Sequence, residues 1–290
     1  MRKTAFVVAG LAAIILAHAF SRGQAGESDE SVAPSMPAPP PGSPQGRGAE
    51  PATQPASGPG RFEPFVVIHG GDSELGSPDL PGTAQRLRLF IDRVNQLKPA
   101  FLVMAGDLVH GGTDPAELKV LDDAYAACKV PIWPVPGNHD NLAQFRRRFG
   151  REYYAFTYNN CEFICLNTED GSSRQLPWLE ETLRAARRNR RTHIIIVMHR
   201  PPEGNALLEG LLEKYAVSAV LAGHLHKTLQ TAHKGYTTYV VSGSAKVRDR
   251  KGLTYGIVRV GPDKIEHEVM PLLPAGAATS APASAPAAGG

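Results

Sequence analysis

Short apolar runs of strand length recur through the middle of the chain: Phe65 to Ile68, Phe101 to Met104, Val130 to Trp133, Thr192 to Met198 and Val217 to Ala222. Runs this nearly continuous in apolar residues are expected of strands buried on both faces. Between the first three, apolar residues fall at helical spacing. Thr83 is expected to cap a helix carrying Leu87, Ile91, Val94 and Leu97 on one stripe. Asp114 caps a second, with Pro115 at its first position and Leu118, Leu121, Tyr125 and Cys128 inward. This βαβαβ order implies parallel strands with helices on their faces.

Further on, a short helix carries Leu142 and Phe145, and two strands at 153–158 and 161–167 are separated by Asn159-Asn160. Asparagine tolerates positive φ, so this pair reads as a tight hairpin. Pro177 is expected to start a helix with Leu179, Leu183 and Ala186 inside and Arg184, Arg187, Arg188, Arg190 and Arg191 outside, a solvated face. A helix from Asn205 to Tyr215 follows, and strands near 236–241, 253–260 and 264–270 end the pattern without helices between them. The expected architecture is α/β: two mixed sheets packed face to face, helices outside.

The ends of the chain differ in kind. Arg2-Lys3, the apolar run Ala5 to Ala17 and His18-Ala19 form a charged, then apolar, then Ala-x-Ala pattern. Residues 1–19 read as an export signal, which places the product in the periplasm or outside the cell; an uncleaved anchor is the alternative, although the run is short of the ~20 residues a spanning helix needs. Residues 20–60 and 274–290 are rich in Pro, Ala, Gly and Ser and are expected to be disordered. A single folded domain is left at 61–273. Losing residues 1–19 removes Arg2 and Lys3 and lowers the formal charge from +3 to +1, which argues for neither nucleic acid nor anionic membrane as partner. Three cysteines, Cys128, Cys161 and Cys165, make no disulfide framework; Cys161 and Cys165 share a strand face about 13 Å apart and read as buried apolar residues.

Candidate chemistry sits where the strands end. Ala105-Gly106-Asp107, Pro136-Gly137-Asn138-His139-Asp140, His199 and Gly223-His224-Leu225-His226 each close a strand, and the carboxyl edge of an open α/β sheet is where ligands bind. Asp107, Asn138, His139, His199, His224 and His226 together are the inventory of a metal site.

In this order, these motifs resemble the calcineurin-like metallophosphoesterases. The resemblance spans about Phe65 to Met270 and implies a four-layer sandwich of two mixed sheets flanked by helices. It also implies hydrolysis of phosphate esters, of small molecules or phosphoproteins, by in-line attack of a hydroxide shared by two divalent ions (Mn, Fe, Zn or Mg). By the same matching Asp107 bridges the ions, Asp72 and His226 serve one, and Asn138, His199 and His224 serve the other. His139 then aids the transferring phosphoryl group and protonates the leaving oxygen. The stretches Phe149 to Phe156 and Gly106 to His110 are similar to a phosphoprotein-phosphatase branch of the family.

Two departures stand out. Asp72-Ser73-Glu74 replaces the family's Asp-x-His, so Glu74 offers a carboxylate where an imidazole is expected and biases that position toward manganese or magnesium. His110 and Gly111 stand where protein phosphatases carry an Asp-Arg pair, so Arg200 is the candidate cation for phosphate. These changes support the alternative of a binding module with a weakened site; the intact His139 favours the enzyme.

Overall fold

The computed structural model describes residues 62–170, 174–241, 243 and 253–273. The signal, linker and tail expectations lie outside the described residues. Two mixed sheets face one another. The first has the order β11-β10-β1-β2-β3, from β1 (Phe65–Gly70), β2 (Phe101–Ala105), β3 (Ile132–Val135), β10 (Thr254–Val260) and β11 (Ile265–Pro271). The second has the order β4-β5-β6-β7-β9-β8, from β4 (Tyr154–Tyr158), β5 (Cys161–Cys165), β6 (His193–Val197), β7 (Ala219–Ala222), β8 (Leu229–Ala232) and β9 (Thr237–Val240). In each sheet the central strands are parallel: β1, β2 and β3 in one, β5, β6, β7 and β9 in the other. Their carboxyl ends supply the site.

Between the sheets lies an apolar layer in which Phe156 stacks on Phe163 and both meet Phe101 edge on. Cys161 and Cys165 are buried here and carry no disulfide. Helices α1 (Leu80–Leu97), α2 (Pro115–Ala127) and α3 (Leu142–Phe149) cover the outer face of the first sheet, and α4 (Gln175–Arg188) and α5 (Ala206–Lys214) that of the second. None of the described helices is long and apolar enough to cross a membrane. Asn159 and Asn160 take φ of 44° and 60° at the β4–β5 hairpin, the left-handed pair that a two-residue turn requires.

Some local expectations need correction. Asp79, not Thr83, caps α1: its carboxylate accepts from Gly82 N at 2.6 Å. Thr83 lies inside the helix, where its hydroxyl donates to Asp79 O and accepts from Gly76 N. Leu87, Ile91 and Val94 face the core as expected, but Leu97 is 40% exposed, because the stripe runs out at the last turn. Pro177 sits in the first turn of α4 rather than at its start, which needs no side-chain cap. The β8 edge strand was not anticipated; all four residues are exposed, so it has no apolar pattern to read. Arg184 and Arg188 on the outer face of α4 pair with Glu181, but Arg190 and Arg191 fall beyond the helix end, and Arg191, 20% exposed, pairs with Glu162 instead of facing solvent.

His69 and His267 form a pair between β1 and β11, Nδ1 to Nε2 3.1 Å, with His267 stacked flat on Tyr239. Burial and the facing imidazole hold His69 well below its ordinary pKa, and burial lowers His267 to about 4. Both are neutral in the fold and titrate near 6.5 in the unfolded chain. Below about pH 6.5 these two side chains therefore bind more protons in the unfolded chain, and their contribution to stability falls with pH, for His267 down to about pH 4. At pH 5, His267 alone is expected to cost about 2 kcal/mol relative to pH 7.5. Denaturant unfolding of the metal-free chain and of its His267→Gln variant at both pH values checks this: between pH 7.5 and pH 5 the unmodified chain should lose about 2 kcal/mol more than the variant.

Candidate metal centre

Five loops meet at one edge of the sandwich. β1 leads to Asp72 and Glu74, β2 to Asp107, β3 to Asn138 and His139, β6 to His199 and Arg200, and β7 to His224 and His226. The turns are tight enough to need glycine at two places. Gly106 has φ 83°, and a Cβ there would lie 2.6 Å from His199 Nδ1. A Cβ on Gly137 would overlap the Asp107 carboxylate. Five chemical side chains also occupy left-handed backbone: Asp72 (φ 47°), Glu74 (32°), Asp107 (52°), His224 (69°) and His226 (49°). Each conformation costs on the order of 1 kcal/mol or more and persists only where the surroundings fix it.

Part of what fixes them is a set of carboxylates that accept from backbone N–H groups. Asp140, from the first turn beyond Asn138, accepts from Gly137 N (2.9 Å), Leu108 N (3.0 Å) and Val109 N (3.2 Å), tying the β2 loop to the β3 loop. Asp107 Oδ1 accepts from His139 N at 2.9 Å, and Asp72 accepts from His224 N at 2.9 Å. The motif Gly137-Asn138-His139-Asp140 names Asp140 without its clamping role, for which the adjacency to Gly137 and Asn138 is the one signal in the sequence. Asp140→Ala is expected to strand three N–H groups and destabilise the fold by about 3 kcal/mol or more, at roughly 1 kcal/mol or more for each, read as a lowered denaturant midpoint with unchanged slope.

The side chains converge. Asp72 and Glu74 are fully buried and Asp107 is 1% exposed. Three carboxylates gathered this closely among imidazoles cost several kcal/mol each unless a cation is present. His199 Nδ1 donates to Ala105 O at 2.8 Å, turning Nε2 inward. Around that Nε2, Asn138 Oδ1, Asp107 Oδ2 and His224 Nδ1 each lie at 3.2 Å. Ligand atoms about 2.1 Å from one ion stand roughly 3.0–3.4 Å apart, so the spacing is that of a coordination sphere. Asp72, Asp107 and His226 form a second group, and Glu74, Asp107 and His139 a third; Asp107 belongs to all. The residues fit a pair of metal ions.

Electrostatics agree. Burial raises the Asp72 pKa to about 7, offset in part by His199 and His226. Burial opposes a charge on His199, yet the Asp107 and Asp72 carboxylates outweigh it and lift its pKa to about 9. Without a cation the site keeps protons, and metal binding releases them.

A cleft of about 270 Å³ opens over these groups, lined by Glu74, Asp107, Asn138, His139, His224, Leu225 and His226. His139 stands at its lip with the His110 ring stacked on it at 4.6 Å. Arg200 donates to Asn138 Oδ1 (3.0 Å), pairs with Glu169 (2.8 Å) and lies 2.6 Å from His224 Nε2. Glu169 thus holds Arg200 in place. His69, at the end of β1, pairs with His267 and belongs to none of the ligand groups among the described residues.

Comparison with known proteins agrees with this geometry. Over 260 residues the chain is 26% identical to the serine/threonine-protein phosphatase CPPED1 of Bos taurus, covering 70% of this chain and 82% of that protein. It is 28% identical to a cAMP/cGMP dual specificity phosphodiesterase of Mycobacterium tuberculosis, covering 72% and 80%. The fold is similar to that of a dimetal phosphatase from Danio rerio, with a TM-score of 0.59 and 14% identity over 70% of this chain and 98% of that one. Residues 63–228 match the calcineurin-like phosphoesterase family, and with two mixed sheets, a shared aspartate and clustered ligand atoms at their strand ends, the chain belongs to that family of phosphoric-ester hydrolases.

Proposed function

We propose that this chain is an exported, metal-dependent hydrolase of phosphate esters. Asp107 carries the reading, because its carboxylate is common to every group of ligand atoms. Asp72, Glu74, Asp107 and His226 would hold one ion, and Asp107, Asn138, His199 and His224 the other. When bound, the pair supplies Lewis acidity toward the phosphate oxygens and a water acidic enough to attack near neutral pH.

The chain's own residues do the rest. His139 N is anchored on Asp107, so its imidazole is fixed at the cleft lip, and the stacked His110 restrains its rotation. From there it protonates the leaving oxygen opposite the attacking one. Arg200, steered by Glu169, offers its guanidinium to a phosphate oxygen at the same lip. The Asp140 clamp keeps the Asp107 and His139 loops in one register, which holds the proton donor near the reacting group. Export is supported by the charged and apolar segments ahead of His18-Ala19, and fractionation of the full chain tests it.

Turnover is tested with a chromogenic phosphomonoester and a chromogenic phosphodiester, after metal stripping and separate refilling with manganese, zinc, iron and magnesium. Metal-dependent release of chromophore from either supports the reading and assigns the ester class. A chain that binds two ions and turns over neither ester overturns it in favour of a binding module.

A further inference from the structure

The ligand atoms on the two sides of Asp107 differ in charge and hardness. On one side stand Asp72 and Glu74, both fully buried, with the single imidazole of His226, whose Nε2 lies 3.0 Å from Glu74 Oε1. On the other stand the neutral carboxamide of Asn138 and two imidazoles, His199 and His224. The first position therefore adds two full negative charges to its share of Asp107, and the second adds none.

Glu74 is also held in place. Its N–H donates to Asp107 O at 2.8 Å, and Ser73 Oγ donates to Leu108 O at 2.8 Å, so the loop is fastened to the strand end that carries Asp107. The Glu74 oxygens stay 3.9 Å from His139 Nε2 and 3.8 Å from His110 Nδ1, beyond hydrogen-bonding range, and closer to His226 than to either.

Building on the two-ion reading above, we propose that the chain holds an unlike pair of ions and that Glu74 is the residue that makes them unlike. The position of Asp72, Glu74, Asp107 and His226 takes a hard, oxygen-preferring divalent ion of the manganese or magnesium kind. The position of Asp107, Asn138, His199 and His224 takes a borderline ion of the zinc kind. Carboxylates suit manganese and magnesium, whereas imidazoles suit zinc. Zinc outranks manganese at nearly any site in raw affinity, so the difference lies in the margin. That margin is narrowed where buried, unscreened carboxylate charge dominates and left wide where imidazoles do.

Manganese-loaded protein titrated with zinc, with both metals counted per chain by elemental analysis after desalting, tests this without reference to turnover. The expected result is displacement in two steps, one manganese leaving early and the second only at about tenfold or more higher free zinc. Glu74→His should draw the two midpoints together by supplying a third imidazole. Glu74→Gln, which keeps the side chain's size, should do so by removing charge, and it answers if the histidine variant fails to fold. Simultaneous loss of both manganese ions from the unmodified chain, or unchanged spacing in the variants, overturns the proposal and leaves the two-ion hydrolase standing. A chain that binds no metal overturns the two-ion hydrolase as well.

Discussion

Asp107→Asn is expected to lower kcat/KM by at least about a thousandfold and to bring bound metal below two ions per chain. The side chain belongs to all three groups of ligand atoms, so removing its charge weakens both positions at once. Lewis-acid stabilisation of a reacting phosphate is worth several kcal/mol, and each 1.36 kcal/mol is a factor of ten in rate. The two readouts must move together. Full activity with two ions retained would show that Asp107 bridges nothing. Oδ1 would still accept from His139 N in the asparagine variant, so loss of fold is not the expected route, and an unchanged denaturant midpoint in the metal-free state confirms that.

His139→Ala separates chemistry from binding. Metal content should stay at two ions, while turnover of an ester with a poor leaving group falls by about 10² to 10⁴, the range for a general acid. An ester with a good leaving group, which needs little protonation, should lose much less. Equal losses on both substrates would mean that His139 positions phosphate instead of moving a proton. His110 stacks on His139 with its own side chain 40% exposed, so truncating it should perturb the rate only through ring orientation, by a smaller factor.

The sequence exposed the site better than it exposed the local boundaries. Four motifs, each closing an apolar run, named Asp107, Asn138, His139, His199, His224 and His226, because parallel strands buried on both faces leave a readable apolar run and end at one edge; Asp72 and Glu74 came only through the family resemblance. Glu74 was visible as a carboxylate in an unusual place, but whether it faced inward depended on the turn after Gly71, which periodicity does not encode. The Asp79 cap was hidden by Thr83, a residue of the same capping class four positions on. β8 carried no signal because an exposed edge strand buries nothing. The Asp140 clamp and the Glu169 to Arg200 pair were missed for another reason: both join loops far apart in sequence, 32 residues for Leu108 to Asp140 and 31 for Glu169 to Arg200, and local reading has no access to such pairings.

The left-handed backbone at Asp72, Glu74, Asp107, His224 and His226 also bears on how the fold would respond to an ion. At each position glycine would relieve strain, and at the buried carboxylates loss of the charge would relieve more. An ion held by these side chains would offset that cost only in the folded chain, so its binding would raise stability by mass action. Heat or denaturant resistance of this chain would therefore rise with the free concentration of the ion, and the loops that carry the chemistry would be the ones tightened.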